Sequence, residues 1–424
     1  MSEGSLLLDL SAVSGCYYAP AGNYYGVGRV LIGYASGLQT HFGARLGLCS
    51  ALYPAEGWLF LEREFPDLLE NYIEPKPSSW ERKAIRWVDM GDPAGGIRND
   101  PWSKLRRKFW RAYVNECRWR LSEKVRETYR HARLLHAELR TKATARCPAA
   151  KRLHTVHDLI PIRDNPPDSA VRQEFEWLLR AAERSGAHFT CYSESSANDL
   201  MEFLGISRDR IHLTSLAVDK AFRPVEDAVS LASWRQRLGL LGDDRYVLAH
   251  TGQFKRKNIA GIVRVMELVR RTGAPQVKLV FAGYPKRIEQ ELDESVGDSV
   301  AWREFVRFTG SLDDGDFPVL YSGAELMLFL SWAEGFGLPP LEAMACGCPV
   351  VATNRTSVPE VVEDAALQVD PADEEVCAEA VLSLLTSPSL RREFAQRGLE
   401  RARHFSWERV GERVSAAWET VLAD

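Results

Sequence analysis

Long apolar runs are missing from this chain of 424 residues. No stretch of about 18 consecutive apolar side chains occurs, which argues against a membrane-spanning helix. Cysteine is scarce and scattered: eight residues, without the close, regular spacing of a disulfide framework, so reduced and buried thiols are expected. Surplus charge is also lacking. Lys and Arg number 54 against 58 Asp and Glu, a net charge of -4 with a pI near 6.2, which argues against wholesale nucleic-acid binding. The start, Met1 to Asp9, has no basic leader and its apolar run is stopped by Asp9, so no secretory signal is expected and the protein reads as soluble and cytoplasmic. What is present is an ordinary globular composition, 45% hydrophobic. A chain this long is more than one core usually serves, so two domains of roughly 200 residues each are expected.

The most informative stretch is Glu334-Gly335-Phe336-Gly337-Leu338-Pro339-Pro340-Leu341-Glu342, followed by Ala343-Met344-Ala345-Cys346-Gly347-Cys348-Pro349-Val350-Val351. The apolar run Glu325 to Leu330 leads in, so the local order is strand, glycine turn, helix and strand: one βαβ unit with two carboxylates at its mouth. Proline is tolerated in the first helical turn, and the glycines let backbone approach a ligand. Free N–H groups at the helix start favour an anion such as phosphate, and a neighbouring carboxylate accepts hydrogen bonds from hydroxyls. Phosphate with polyol points to a nucleotide sugar. Cys346-Gly347-Cys348 lacks the second pair or histidines of a zinc site; Gly347 is expected to cap the helix and both thiols to pack as small hydrophobes.

The block from Leu326 to Val351 resembles the E-x7-E signature of retaining nucleotide-sugar glycosyltransferases of family 4 (group 1), since the carboxylate spacing, GFGLP turn, EAMACG helix and PVV strand occur together. The resemblance implies the α/β architecture called GT-B, two facing doubly wound Rossmann-like domains with an interdomain cleft. It also implies that Glu342 bonds the ribose hydroxyls, while Glu334 and the backbone of Gly335, Phe336, Gly337 and Leu338 hold the sugar. No cofactor is implied beyond the donor itself, and no metal. Asp313, Asp314 and Asp316, just before Val319-Leu320-Tyr321, read as a helix cap.

Other segments fall into the same pattern. Gly26-Val27-Gly28-Arg29 opens an amphipathic helix; it either merely turns the chain or offers backbone donors and a guanidinium fork to a phosphate. It resembles the family's GIGRY-type turn, which implies that Gly28 and Arg29 lie near the donor diphosphate. Leu153 to Ile162 reads as a strand ending in His157-Asp158, and strand ends line the crevice of a parallel sheet. The match to the family's HDLIP segment implies that His157 contacts the donor sugar and that Asp158 orients the loop or the acceptor. Ser193-Glu194-Ser195-Ser196 reads chiefly as a helix N-cap. Tyr246 to Gly252 is a strand followed by Lys255-Arg256-Lys257-Asn258, three cations on a strand-to-helix turn that suit a pyrophosphate. Here the family's R-K-N turn implies Lys257 as the diphosphate ligand, with Arg256 standing in for an upstream arginine that has no clear counterpart and Gly252 nearby. Gly283 ends another buried strand where a base or ribose fits. Pro359-Glu360-Val361-Val362 and Ala366 to Pro371 are expected to continue the sheet edge.

Between 97 and 152 the composition changes. Residues 98–152 hold 17 Lys and Arg against 5 Asp and Glu, so this segment carries +12 and the remainder of the chain -16. Phe109, Trp110, Tyr113, Trp119 and Leu121 recur among the cations at nearly helical spacing. Two readings stand level, a basic helical insertion on an anionic membrane surface, making the protein peripheral on the inner face of the cytoplasmic membrane, or one packed on the N-domain with a solvated basic face; a third, nucleic-acid binding, is disfavoured by the acidic remainder. The expected layout is an acceptor-binding N-domain over 1–218 containing this insertion, a linker over 219–243, a nucleotide-sugar domain over 244–403, and a last helix, 404–424, that crosses back to the N-domain.

Together these features imply transfer of a hexose from a nucleoside diphosphate sugar with retention of configuration. HDLIP, RKN and GFGLPPLEAMACG look most like bacterial mannosyltransferases of O-antigen or exopolysaccharide synthesis, implying GDP-mannose as donor and a glycan or lipid-linked glycan as acceptor. Two alternatives share some of the features. A nucleotide-sugar 2-epimerase has the same fold, and a non-catalytic membrane-associated assembly protein would use the basic segment alone; the intact pair of glutamates with Lys257 argues against both.

Overall fold

The computed structural model describes residues 6–10, 27–49, 58, 61–62, 65–72, 76, 132–139, 150–241, 244–250, 255–283, 288–296, 301–310, 312–313 and 315–424. Twelve strands among them form two sheets of six. In chain order they are β1 (Leu6–Asp9), β2 (Leu46–Cys49), β3 (Leu134–Glu138), β4 (Lys151–Thr155), β5 (His188–Cys191) and β6 (Ile211–Leu213), then β7 (Tyr246–His250), β8 (Lys278–Ala282), β9 (Val306–Phe308), β10 (Leu326–Phe329), β11 (Val350–Thr353) and β12 (Leu367–Val369). The spatial orders are β2-β1-β3-β4-β5-β6 and β12-β11-β10-β7-β8-β9, with every pairing parallel. Parallel strands are covered on both faces, which is why β1, β5, β10 and β11 are short, continuously buried runs.

In the second sheet the chain winds outward from β7 to β9, then returns to place β10 on the other side of β7. That reversal makes β7 and β10 the switch point, and the crevice beyond their carboxyl ends is where doubly wound sheets bind ligands. The loops leaving these two strands carry Arg256 and Lys257 from one and Glu334 from the other.

The final helix, Trp407–Ala423, lies on the N-domain against the helix Val27–Phe42. Three glycines permit the approach: a Cβ on Gly37 would stand 2.3 Å from the Gly411 Cα, and one on Gly33 would enter the Trp407 ring. Farther along, the fully buried Trp418 donates its indole N–H to His136 Nδ1 at 3.0 Å. An indole can only donate, so His136 Nδ1 is unprotonated and its Nε2–H is left for Thr155 Oγ1 at 2.9 Å. Burial agrees, lowering the His136 pKa to about 3.

The structure departs from several expectations. β3 falls inside the stretch expected as a basic helical insertion, and lies in the sheet between β1 and β4. Its short run Leu134-Leu135-His136-Ala137 is flanked by so many cations that charge hides it; residues 97–131 and 140–149, including the aromatic and basic cluster, lie outside the described residues. Val358–Val362 is a short helix rather than sheet edge, and β12 alone forms that edge. The expected linker contains a helix, Ala228–Arg237, capped by the Asp227 carboxylate and packed through buried Trp234 against the helix Asp316–Gly323. That second helix begins after Gly315, which has no side chain to cap it, and the Asp316 carboxylate turns back to accept from Asp313 N.

The glycine contact yields a test. Gly37→Val forces side-chain atoms into the Gly411 backbone, and overpacking of this kind costs about 1–3 kcal/mol. Urea denaturation should show a lower midpoint at unchanged slope; a midpoint equal to wild type would mean that the helices do not meet there.

Candidate active site

After β10 the chain makes the turn Ser331 to Gly337 and enters the helix Leu338–Ala345. Gly337 has φ +107°, a conformation that residues with a Cβ avoid, and Pro339 follows in the first turn. The far end closes as a Schellman motif: Cys348 N donates to Ala343 O and Gly347 N to Met344 O, with Gly347 at φ +71°. Both cysteines are buried and free, and burial pushes the Cys346 thiol up to about 12.

Glu334 meets the cations of the β7 loop directly. Lys257 Nζ donates to one carboxylate oxygen at 2.6 Å and Arg256 Nη1 to the other at 3.0 Å. The same Arg256 nitrogen reaches Ala333 O at 3.0 Å, and Arg256 O accepts from Trp332 N at 2.7 Å, so the two loops are stitched side by side. Side-chain exposures of 18%, 15% and 10% for Arg256, Lys257 and Glu334 place the triad in a partly dry setting, where its charges interact far more strongly than at an open surface.

Glu342, eight residues on, is 7% exposed and reached by a hydrogen-bond chain. Tyr321 OH donates to its Oε2 at 3.3 Å, and His250 Nε2 lies 2.7 Å from the same hydroxyl. A phenol has one proton to give. With that proton on Glu342, Tyr321 accepts from His250 Nε2–H. Burial, assisted by nearby Lys257, lowers the His250 pKa to about 3, so this imidazole is neutral at working pH. Burial likewise holds the Tyr321 phenol protonated.

The N-domain closes on the glycine turn from the other side. A Cβ on Gly335 would fall 2.7 Å from both His157 O and Asp158 Oδ2, so only glycine fits between the domains here. Gly335 O accepts from Ser193 Oγ at 3.0 Å and Ser196 Oγ at 3.3 Å. Asp158 Oδ1 accepts from Ile160 N at 2.9 Å and so shapes its loop, and burial raises its pKa. The His157 ring lies 5.2 Å from that of Tyr192. Glu360 completes the contact: its two oxygens accept from Glu194 N and Ser195 N, each at 2.7 Å, placing a C-domain carboxylate on the N-terminus of the N-domain helix Glu194–Leu204.

Thus Glu334, Arg256, Lys257, Gly335, His157 and Asp158 are brought into one neighbourhood, with Glu342 at the helix behind. The Phe336 ring is buried edge-on to Phe405, and Leu338 is in the first helical turn. Gly283 ends β8, one strand from β7, with φ +130° and its N–H on Thr309 Oγ1. Gly28 and Arg29 are in the first turn of the helix Val27–Phe42, but the Arg29 side chain lies outside the described residues, as does Gly252. Sequence reading missed His250, Tyr321, Thr356, Ser357 and Glu360. Only Ser193 gave a signal, as a cap, and it does cap its helix by accepting from Ser196 N. Among the described residues no group of three or more His, Cys, Asp or Glu is placed to hold a metal ion.

Two facing parallel sheets with a cleft at their strand ends constitute the GT-B architecture. A glycosyltransferase from Rickettsia africae superposes with a TM-score of 0.66 at 15% identity, over 100% of this chain and 99% of that one. Residues 232–401 match the family described as glycosyl transferases group 1. Relatives include O-antigen chain mannosyltransferase B of Escherichia coli, 35% identical over 232 residues, which are 54% of this chain and 59% of that protein. Serotype-specific mannosyltransferase WbdA of Escherichia coli is 33% identical over 261 residues, 59% of this chain and 31% of that protein. The chain therefore matches less than two thirds of either relative's length.

The Glu360 contact is testable. Glu360→Ala removes two charge-assisted bonds to helix N–H groups, for an expected loss of about 1–3 kcal/mol in denaturant unfolding. An unchanged unfolding curve would show that the clasp is solvated and weightless.

Proposed function

We propose that this chain is a retaining mannosyltransferase that moves mannose from GDP-mannose onto a glycan or lipid-linked glycan acceptor. The observation that carries the reading is the Glu334 carboxylate bridged by Arg256 and Lys257 at the sheet's switch point, with Glu342 eight residues away behind the same helix start. The donor diphosphate takes the place of Glu334 on the two cations, and Glu334 turns to the mannose hydroxyls. Glu342, held by Tyr321, receives the ribose hydroxyls.

In the reaction the bond from the anomeric carbon to the β-phosphate oxygen breaks as an acceptor hydroxyl oxygen bonds to that carbon from the same face. The acceptor proton passes to the departing phosphate oxygen, giving the glycoside and GDP. Negative charge grows on the diphosphate along this path, so Lys257 and Arg256 lower the barrier by attraction that is strongest in the transition state. No side chain has to become covalently attached; the remaining work is to hold the reacting groups together. Asp158, across the cleft beside Gly335, belongs to the acceptor side. Mannose as the transferred sugar is supported by the names of the relatives, each of which covers more than half of this chain.

A thermal-shift panel of GDP, UDP, GDP-mannose and UDP-glucose tests the donor site. GDP-mannose should stabilise the wild type most, and Glu342→Ala should weaken that response about tenfold or more in ligand concentration, the expected cost of a lost bond to a charged group. No stabilisation by any nucleotide, or an identical response from the variant, would contradict the reading.

A further inference from the structure

The loop after β11 contains a backbone conformation that its sequence does not favour. Thr356 has φ +51°, in the left-handed region that β-branched residues rarely enter. Such a residue persists only where its surroundings over-determine it. Here they do: Asn354 N donates to Val369 O at 2.9 Å, and Arg355 Nη2 reaches both Asp370 oxygens at 2.8 Å, so the loop is pinned to β12 and the turn beyond it.

The strained residue faces the site. Thr356 Oγ1 accepts from Glu334 N at 3.0 Å, and the hydroxyl of its neighbour Ser357, fully buried, donates to Glu334 O at 2.8 Å. Glu334 has left β10 and has not reached the next helix, so no regular ladder fixes its main chain. Two side-chain hydroxyls satisfy its N–H and C=O instead, and together they orient the carbon that bears the carboxylate. A glycine at 356 would adopt the same φ without strain, yet could offer no acceptor to Glu334 N.

We propose that Thr356 and Ser357 are positioning residues that grip the Glu334 backbone and thereby aim its carboxylate at the donor sugar, a role that rests on the reading of Glu334 given above. Their influence is confined to the sugar end of the donor. The diphosphate and ribose contacts arise from Arg256, Lys257 and Glu342, none of which the two hydroxyls touch.

The test uses the full chain and three variants, Thr356→Gly, Thr356→Ser and Glu334→Ala, with GDP affinity measured by calorimetry and GDP release from GDP-mannose measured as a rate. Thr356→Gly should fold, as judged by a circular-dichroism melt, and keep wild-type affinity for GDP while its release rate falls about ten- to a hundredfold through misplacement of Glu334. Thr356→Ser retains the oxygen and should restore the rate. Retention of the wild-type rate by Thr356→Gly overturns the proposal, as does a serine variant as slow as the glycine one. A parallel fall in GDP affinity also overturns it, since the loop would then support the whole pocket. If Glu334→Ala is slow while Thr356→Gly is normal, only the positioning role fails; if Glu334→Ala is itself normal, the reading of Glu334 fails and the proposal falls with it.

Discussion

Glu334 lies between a lysine and an arginine at a point only a tenth exposed, and two cations sharing one carboxylate there would be costly without a purpose or an ample set of bonds. The arrangement gains its bonds from both adjoining strands. β7 delivers the cations and β10 the anion, because the winding of the sheet reverses between them. Everything else in the cleft is arranged around that cluster. The glycine turn lets the N-domain backbone come within contact, the helix Leu338–Ala345 carries Glu342 back to Tyr321, and the β11 loop fixes the main chain of Glu334. A diphosphate, with more charge than a carboxylate and the same hard oxygens, is a better partner for the two cations. The triad as it stands keeps one positive charge in excess, and under the proposed reading an anionic donor supplies the charge that balances it.

The two domains are joined in two places. The last helix, Trp407–Ala423, spans from the C-domain to the N-domain and is seated by glycine contacts and the Trp418–His136 bond. At the cleft itself the link is polar and small: Glu360 on a helix N-terminus, and two serine hydroxyls on Gly335 O. The last helix thus joins the domains by close packing and a buried hydrogen bond, and the cleft joins them by exposed and half-buried polar contacts.

Much of this was legible in the sequence, and the limits have physical causes. Glu334, Glu342 and the Arg256-Lys257 pair were readable because local patterns announce them: a glycine turn, prolines at a helix start, cations on a strand-to-helix turn. The pairing of Glu334 with both cations joins residues nearly eighty positions apart, and no local pattern reports it. Thr356 escaped because a left-handed φ is imposed by tertiary contacts and runs against what threonine prefers. Glu360 reads as a strand residue beside two valines, yet its backbone is helical and its carboxylate serves the other domain. His250 ends a strand and Tyr321 lies in the core, positions that carry no local sign that the imidazole and the hydroxyl form a hydrogen-bonded chain to Glu342. β3 was hidden by the basic residues on both sides of it.

The central claim is that the two cations exchange Glu334 for the donor diphosphate. A crystal structure of the chain with GDP-mannose tests it most directly. The account predicts phosphate oxygens within hydrogen-bond distance of Lys257 Nζ and Arg256, ribose hydroxyls on Glu342, and the Glu334 carboxylate turned to the mannose. Lys257 and Arg256 still paired with Glu334 while the diphosphate is bound elsewhere would contradict it.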